Sequence, residues 1–143
     1  MEGSIKVSNT VKWLEDKHYL ISSAGKPEVD VATPARFGGR DDFWSPLDLL
    51  VASLNACVLS TFVAISEKLG ARFISYESEA VGELERSGGV LKFANLVVRP
   101  TITVESESEA QKVRHAIEAA KKHCPISLSL NATVHIEPTI KVV

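Results

Sequence analysis

The sequence predicts an α+β fold: an antiparallel β-sheet packed on two helices, in the order ββ(β)–α–ββ–α–β, in one domain across residues 1–143. Three observations carry this. A long stretch, uncharged from Leu49 to Ile65, is bracketed by helix start and stop signals at Ser45 and Gly70. Two alternating segments flank Ser87-Gly88-Gly89. A second helical stretch with a single apolar stripe runs up to Cys124-Pro125.

At the amino end, Val7, Val11 and Trp13 alternate with polar residues, and Tyr19-Leu20-Ile21 follows across Glu15-Asp16-Lys17-His18. That pattern is a β-hairpin. Lys26-Pro27 and the segment from Thr33 to Ser45, with Pro34, Gly38 and Gly39, read as a strand end and a loop.

The first helix has Ser45 as N-cap, Pro46 at its first position and Asp48 completing a capping box, with Gly70 just past its end. Its length is about 24 residues, or roughly 36 Å. It is apolar nearly all round, through Leu47, Leu49, Leu50, Val51, Leu54, Val58, Leu59, Phe62, Val63 and Ile65. Such a helix needs cover on every side, more than a chain this small supplies, so a second copy is expected against it. The uncharged run approaches membrane-span length. It contains Ser53, Asn55, Ser60 and Thr61 and is flanked by Asp48 and Glu67, not by aromatic or basic anchors, so a buried helix of a soluble protein is expected and no membrane.

From Ile74 to Leu84, Glu77, Glu79 and Glu83 mark a wet face, with Glu85 just beyond, and Ser87-Gly88-Gly89 turns the chain. The return strand, Val90 to Val104, changes phase between Phe93 and Leu96, which places a bulge near Ala94-Asn95. The second helix, from about Ser108 to His123, carries Ala110, Val113, Ile117 and Ala120 on one stripe. Pro125 biases Cys124 out of the α region and so ends it. A last strand, Thr133 to Val143, puts Val134, Ile136, Ile140 and Val142 on one face.

A net charge of −2, 45% apolar and 24% charged residues describe an ordinary globular chain with no basic footprint for nucleic acid. The amino terminus shows no secretory pattern, and a cytoplasmic location with reduced cysteines is expected. Cys57 and Cys124 lie 67 positions apart, neither in a CxxC pair, and the four histidines have no ligand spacing. No metal and no cofactor are expected.

Cys57 falls mid-helix, where a cysteine packs as a small hydrophobe unless a cation draws out its thiolate. Lys17, Arg36 and Arg40 are the candidate thiolate-activating groups, with Lys12 and His18 behind them. Cys124, at a helix C-terminus that disfavours negative charge, is the less acidic thiol despite Lys121, Lys122 and His123. One thiol on a central helix and another at a helix end suit a cycle of sulfenic acid and disulfide, and a purely structural role for both stays open on these grounds.

The stretch Ser45-Pro46-Leu47-Asp48-Leu49-Leu50-Val51-Ala52-Ser53-Leu54-Asn55-Ala56-Cys57 resembles the first cysteine motif of the OsmC/Ohr family, the osmotically inducible and organic hydroperoxide resistance proteins. His123-Cys124-Pro125-Ile126-Ser127 resembles its second. The likeness extends over nearly the whole chain and marks it as a divergent member. It implies an OsmC-like fold with sheets around two central helices in an intertwined homodimer. It also implies reduction of organic hydroperoxides at Cys57, with Cys124 as resolving cysteine and a small thiol or dihydrolipoyl group as reductant. Leu47 stands where the best-studied branch has a glutamate. On that feature rests the alternative, a non-catalytic OsmC-like protein binding a small apolar ligand or thiol at the dimer interface. A Cys–His hydrolase using Cys57 and His18 is a third reading without a local signature.

Overall fold

The computed structural model describes residues 3–143; Met1 and Glu2, where the reading of the amino terminus begins, lie outside them. The chain forms two compact units, one up to Leu50 and one from Val51 to Val143.

In the first unit, β1 (Thr10–Glu15), β2 (His18–Ser22) and β3 (Val29–Ala32) form an antiparallel sheet in that order. The hairpin expected from the alternation is there. Asp16 adopts the left-handed conformation at its turn (φ 46°), and the Trp13 indole N–H donates to the Asp16 carbonyl at 2.7 Å. The third strand, which the sequence shows as little more than a strand end, is held by four pairs from His18↔Ala32 to Ile21↔Val29. β1 lies at the sheet edge, with Val11 and Trp13 largely exposed. A 3-10 turn, Ala35–Phe37, follows in the loop.

The helix α1 (Pro46–Leu69) starts and stops where its end signals put it. Asp48 N–H donates to Ser45 Oγ at 3.1 Å and Ser45 N–H to Asp48 Oδ2 at 2.9 Å, a closed capping box. At the other end Gly70 takes φ 65°. Its N–H reaches the Glu67 carbonyl at 3.3 Å while Ala71 N–H reaches that of Ser66 at 2.9 Å, a Schellman cap that a β-carbon would strain. The helix is long and apolar enough to cross a membrane by length and composition. The chain does not bury it on all sides. Leu54, Val58, Phe62 and Ser66, one turn apart each, form the buried row, while Ser53, Ala56, Ser60 and Ala64 are exposed. Phe62 packs against Phe73 and Tyr76 with the rings tilted, at centroid separations of 5.1 and 5.3 Å.

In the second unit, β4 (Ser75–Ser87) and β5 (Val90–Val104) pair through a turn with Gly88 and Gly89 both at positive φ. Glu83 faces Asn95 and Leu84 faces Phe93, so Ala94 is the bulged residue the phase change called for. The even positions of β5, Leu96, Val98, Pro100, Ile102 and Val104, are buried.

The expectation of an antiparallel sheet needs correcting here. β6 (Thr133–Ile136) and β7 (Thr139–Val142) both pair with β5 in parallel, making the sheet mixed. A parallel neighbour requires a crossover, and α2 (Glu107–His123) supplies it. The single last strand is also two. Val98 and Val104 carbonyls accept from Glu137 and Val143 N–H, so the even positions of β5 address this side. Pro100 has no N–H to give there, and the break at Glu137-Pro138 falls beside it. α2 begins one residue before the expected start, because Ser106 is its N-cap and accepts from Glu109 N–H at 3.2 Å. It packs on β5 and β7 through Ala110, Val113, Ala116, Ile117 and Ala120. A short helix, α3 (Pro125–Ser129), follows without a gap.

Opening the capping box tests the start of α1. Ser45→Ala should cost about 1 kcal/mol of stability, read as a lower urea midpoint with an unchanged slope.

Candidate functional site

Both cysteines belong to the second unit, and folding makes neighbours of two thiols far apart in sequence. Cys57 lies on α1 between the buried row and the exposed one, half-buried and free. No charged residue stands on α1 between Asp48 and Glu67, so the surroundings that the helix itself gives this thiol are apolar or hydroxylic. Cys124 is free and fully buried.

Cys124 is placed by Pro125. The proline excludes it from helical φ/ψ, and it takes φ −70° and ψ 113°. Its N–H still donates to the Ala120 carbonyl at 2.9 Å, closing α2. Its sulfur accepts the Ser127 N–H at 3.5 Å, opening α3. The sequence reading set Cys124 only at a helix C-terminus; the structure makes it the cap of two helices at once. A cap-capable residue directly before a proline, then Ile126 and Ser127, was the available signal.

The Cys124 thiol is held above its ordinary range. Burial is the largest cause, followed by interaction with the Cys57 thiol, while the Ser127 and Ile126 N–H groups pull the other way. Chemically, this is a thiol kept neutral beside a more accessible one.

The cations considered for Cys57 all lie in the first unit. Lys17 donates to the Gly38 carbonyl at 2.9 Å. Arg40 makes a two-pronged contact with Asp42, Nε to Oδ1 at 2.6 Å and Nη2 to Oδ2 at 2.5 Å, and covers the Phe43 ring at 4.5 Å. That contact holds Asp42 below the usual carboxylate range and Arg40 above its own ordinary value. Asp41 serves the loop instead, accepting from Ala35 N–H at 2.9 Å. Arg36 forms no ion pair with any described residue. His18, the base of the hydrolase reading, pairs with Asp30 at 2.8 Å and stacks on Phe43 at 4.6 Å. Among the described residues no group of three or more His, Cys, Asp or Glu comes together to hold a metal ion. Asn55, which the sequence reading passed over, reaches from α1 to the Ser78 carbonyl on β4 at 3.2 Å.

Comparison with known proteins matches residues 39–139 to the family model described as OsmC-like protein. The uncharacterized protein YmaD of Bacillus subtilis is 21% identical over 117 residues, 80% of this chain and 78% of that one. Among solved structures, an OsmC-like protein of unknown function from Vibrio cholerae superposes with a TM-score of 0.84 at 20% identity, over 94% of this chain and 99% of that one. An organic hydroperoxide resistance protein from Elizabethkingia anophelis gives 0.76 at 20% identity over the whole of both chains. At such identities the structural likeness establishes the fold.

The raised Cys124 thiol has a consequence for alkaline stability. A group whose neutral form is favoured by folding contributes stability that is fully present below its unfolded value, about 8.5. That contribution is lost as the pH rises through the higher folded value. Urea titrations from pH 7 to 10 should therefore show a steeper alkaline decline for the native protein than for Cys124→Ala; parallel declines would contradict the shift.

Proposed function

Because this chain belongs to the OsmC-like protein family, we propose that it is a cytoplasmic thiol peroxidase that reduces organic hydroperoxides at Cys57 and resolves the product with Cys124. The observation that supports this is the pair of neighbouring free thiols, one accessible and one buried with a raised pKa. The Cys57 thiolate attacks the distal peroxide oxygen, the O–O bond breaks, and the alkoxide leaves as an alcohol after taking a proton. Cys57 becomes a sulfenic acid. Cys124 then attacks that sulfur, releasing water and forming the Cys57–Cys124 disulfide. Two molecules of a small thiol, or one dihydrolipoyl group, restore both thiols by exchange. The attacking thiolate needs a cation, and of Lys17, Arg36 and Arg40, Arg36 is the one whose charge no described residue engages.

The charge-free length of α1 favours alkyl and aryl hydroperoxides over hydrogen peroxide. The protein works as a homodimer in this reading. One chain buries a single row of a 24-residue helix that carries no charge between Asp48 and Glu67, and a second copy is what removes the rest from water. The name of the Elizabethkingia structure agrees with the activity.

A second reading, a non-catalytic protein that binds a small apolar ligand or thiol, is favoured by Leu47, an apolar side chain near the start of the cysteine helix. Counting thiols lost on titration with an aryl hydroperoxide separates the two. The native protein should lose two thiols per chain and Cys57→Ser none. Cys124→Ser should lose one and yield a trappable sulfenic acid. Thiols that survive excess hydroperoxide would leave the binding reading in place.

Light scattering at micromolar concentration should give twice the chain mass. A monomer would remove the dimer from this proposal.

A further inference from the structure

Polar atoms enclosed by protein are nearly always paired, because each one left unmet costs free energy comparable to a lost hydrogen bond. Among the described residues four enclosed side-chain atoms have no protein partner: Asn55 Oδ1, Tyr76 Oη, Ser78 Oγ and Ser66 Oγ. Ser66 lies eleven residues along α1 from Asn55, roughly 16 Å, and stands apart. The other three belong to residues that meet where α1 lies on β4, Asn55 through its bond to the Ser78 carbonyl and Tyr76 through its contact with Phe62.

Each neighbour relation is fixed by a contact. Asn55 Nδ2 donates to the Ser78 carbonyl at 3.2 Å. That carbonyl can only accept, so the amide orientation is settled and Oδ1 is left as an acceptor. Ser78 pairs with Pro100, and the even positions of β5 address β6 and β7, so the Ser78 carbonyl points away from β5 to the outer edge of β4. Asn55 therefore meets an acceptor that the ladder leaves open. Tyr76 and Ser78, two apart on a strand, share a face, and the Tyr76 ring lies against Phe62 of α1 at 5.3 Å. Burial pushes the Tyr76 hydroxyl up to about 12, and the Ser78 side chain is near enough to oppose that shift without closing a hydrogen bond to it.

We propose that Asn55 Oδ1, Tyr76 Oη and Ser78 Oγ form a buried hydration site that holds one ordered water between α1 and β4. Two hydroxyls and one obligate acceptor give a water the three or so partners that such molecules ordinarily have. The water donates to Asn55 and exchanges hydrogen bonds with the two hydroxyls. It joins the helix that carries Cys57 to the sheet, two residues from that thiol in sequence. The site does not depend on the peroxidase reading, and neither stands or falls with the other.

Tyr76→Phe gives a test that turns on sign. Removing a hydroxyl that hydrogen-bonds a buried water lowers the melting temperature, by about 3–5 °C. Removing one that is unmet raises it. The expected result is the loss, with Ser78→Ala costing less in the Tyr76→Phe background than alone because the shared water has already been released. A crystal structure of the native protein at better than 2 Å should show one water within hydrogen-bonding distance of all three atoms. A raised melting temperature for Tyr76→Phe, additive losses, or a direct Tyr76–Asn55 hydrogen bond in place of the water would each overturn the proposal.

Discussion

The second unit hangs on one strand. β5 is 15 residues long, and it alone pairs with β4 on one side and with β6 and β7 on the other. Its even row supplies much of the core. A neighbour that runs parallel to β5 cannot be reached by a tight turn, so the chain must leave the sheet and return by a crossover. That crossover is α2, and its length and direction are thereby fixed by the sheet. The position of Cys124 follows, because Cys124 is where α2 stops.

Where the crossover ends, Pro125 gives the second constraint. It makes Cys124 non-helical for one residue only, so α3 starts at once and the sulfur turns to accept the Ser127 N–H. The thiol is left in the interior beside Cys57. Burial and the neighbouring Cys57 thiol oppose a charge on Cys124 more than the Ser127 and Ile126 N–H groups support one. An asymmetry of this kind is what a two-cysteine redox cycle uses, and it arises here from a proline and a helix end.

α1 shows the opposite situation, an element whose sequence asks for more burial than its own chain provides. Ser45, Asp48 and Gly70 fix its ends locally, through the capping box and the Schellman cap. Its sides are only partly settled. Phe62 is fully buried among aromatic neighbours, a contribution of roughly 2–3 kcal/mol by area removed from water, while Ala56, Ser60 and Ala64 are not. The exposed positions along the middle of the helix, Ser53, Ala56, Ser60 and Ala64, are small, so close approach by another apolar surface meets no long side chains there.

The sequence by itself determined whatever depends on neighbours a few residues away. The ends of α1, the β1–β2 hairpin, the turn at Gly88-Gly89, the bulge at Ala94 and the stripe of α2 are all local hydrogen-bonding or periodicity effects. The two family cysteine motifs were legible for the same reason, as short runs of fixed spacing. Only the tertiary structure decided the direction of β6 and β7, since alternation of side chains is the same for parallel and antiparallel strands. It also decided that Lys17 is taken by the Gly38 carbonyl and that Asn55 meets β4. Each of these is a contact or a backbone direction set by where the chain returns in space, and residue spacing along the sequence carries no record of it.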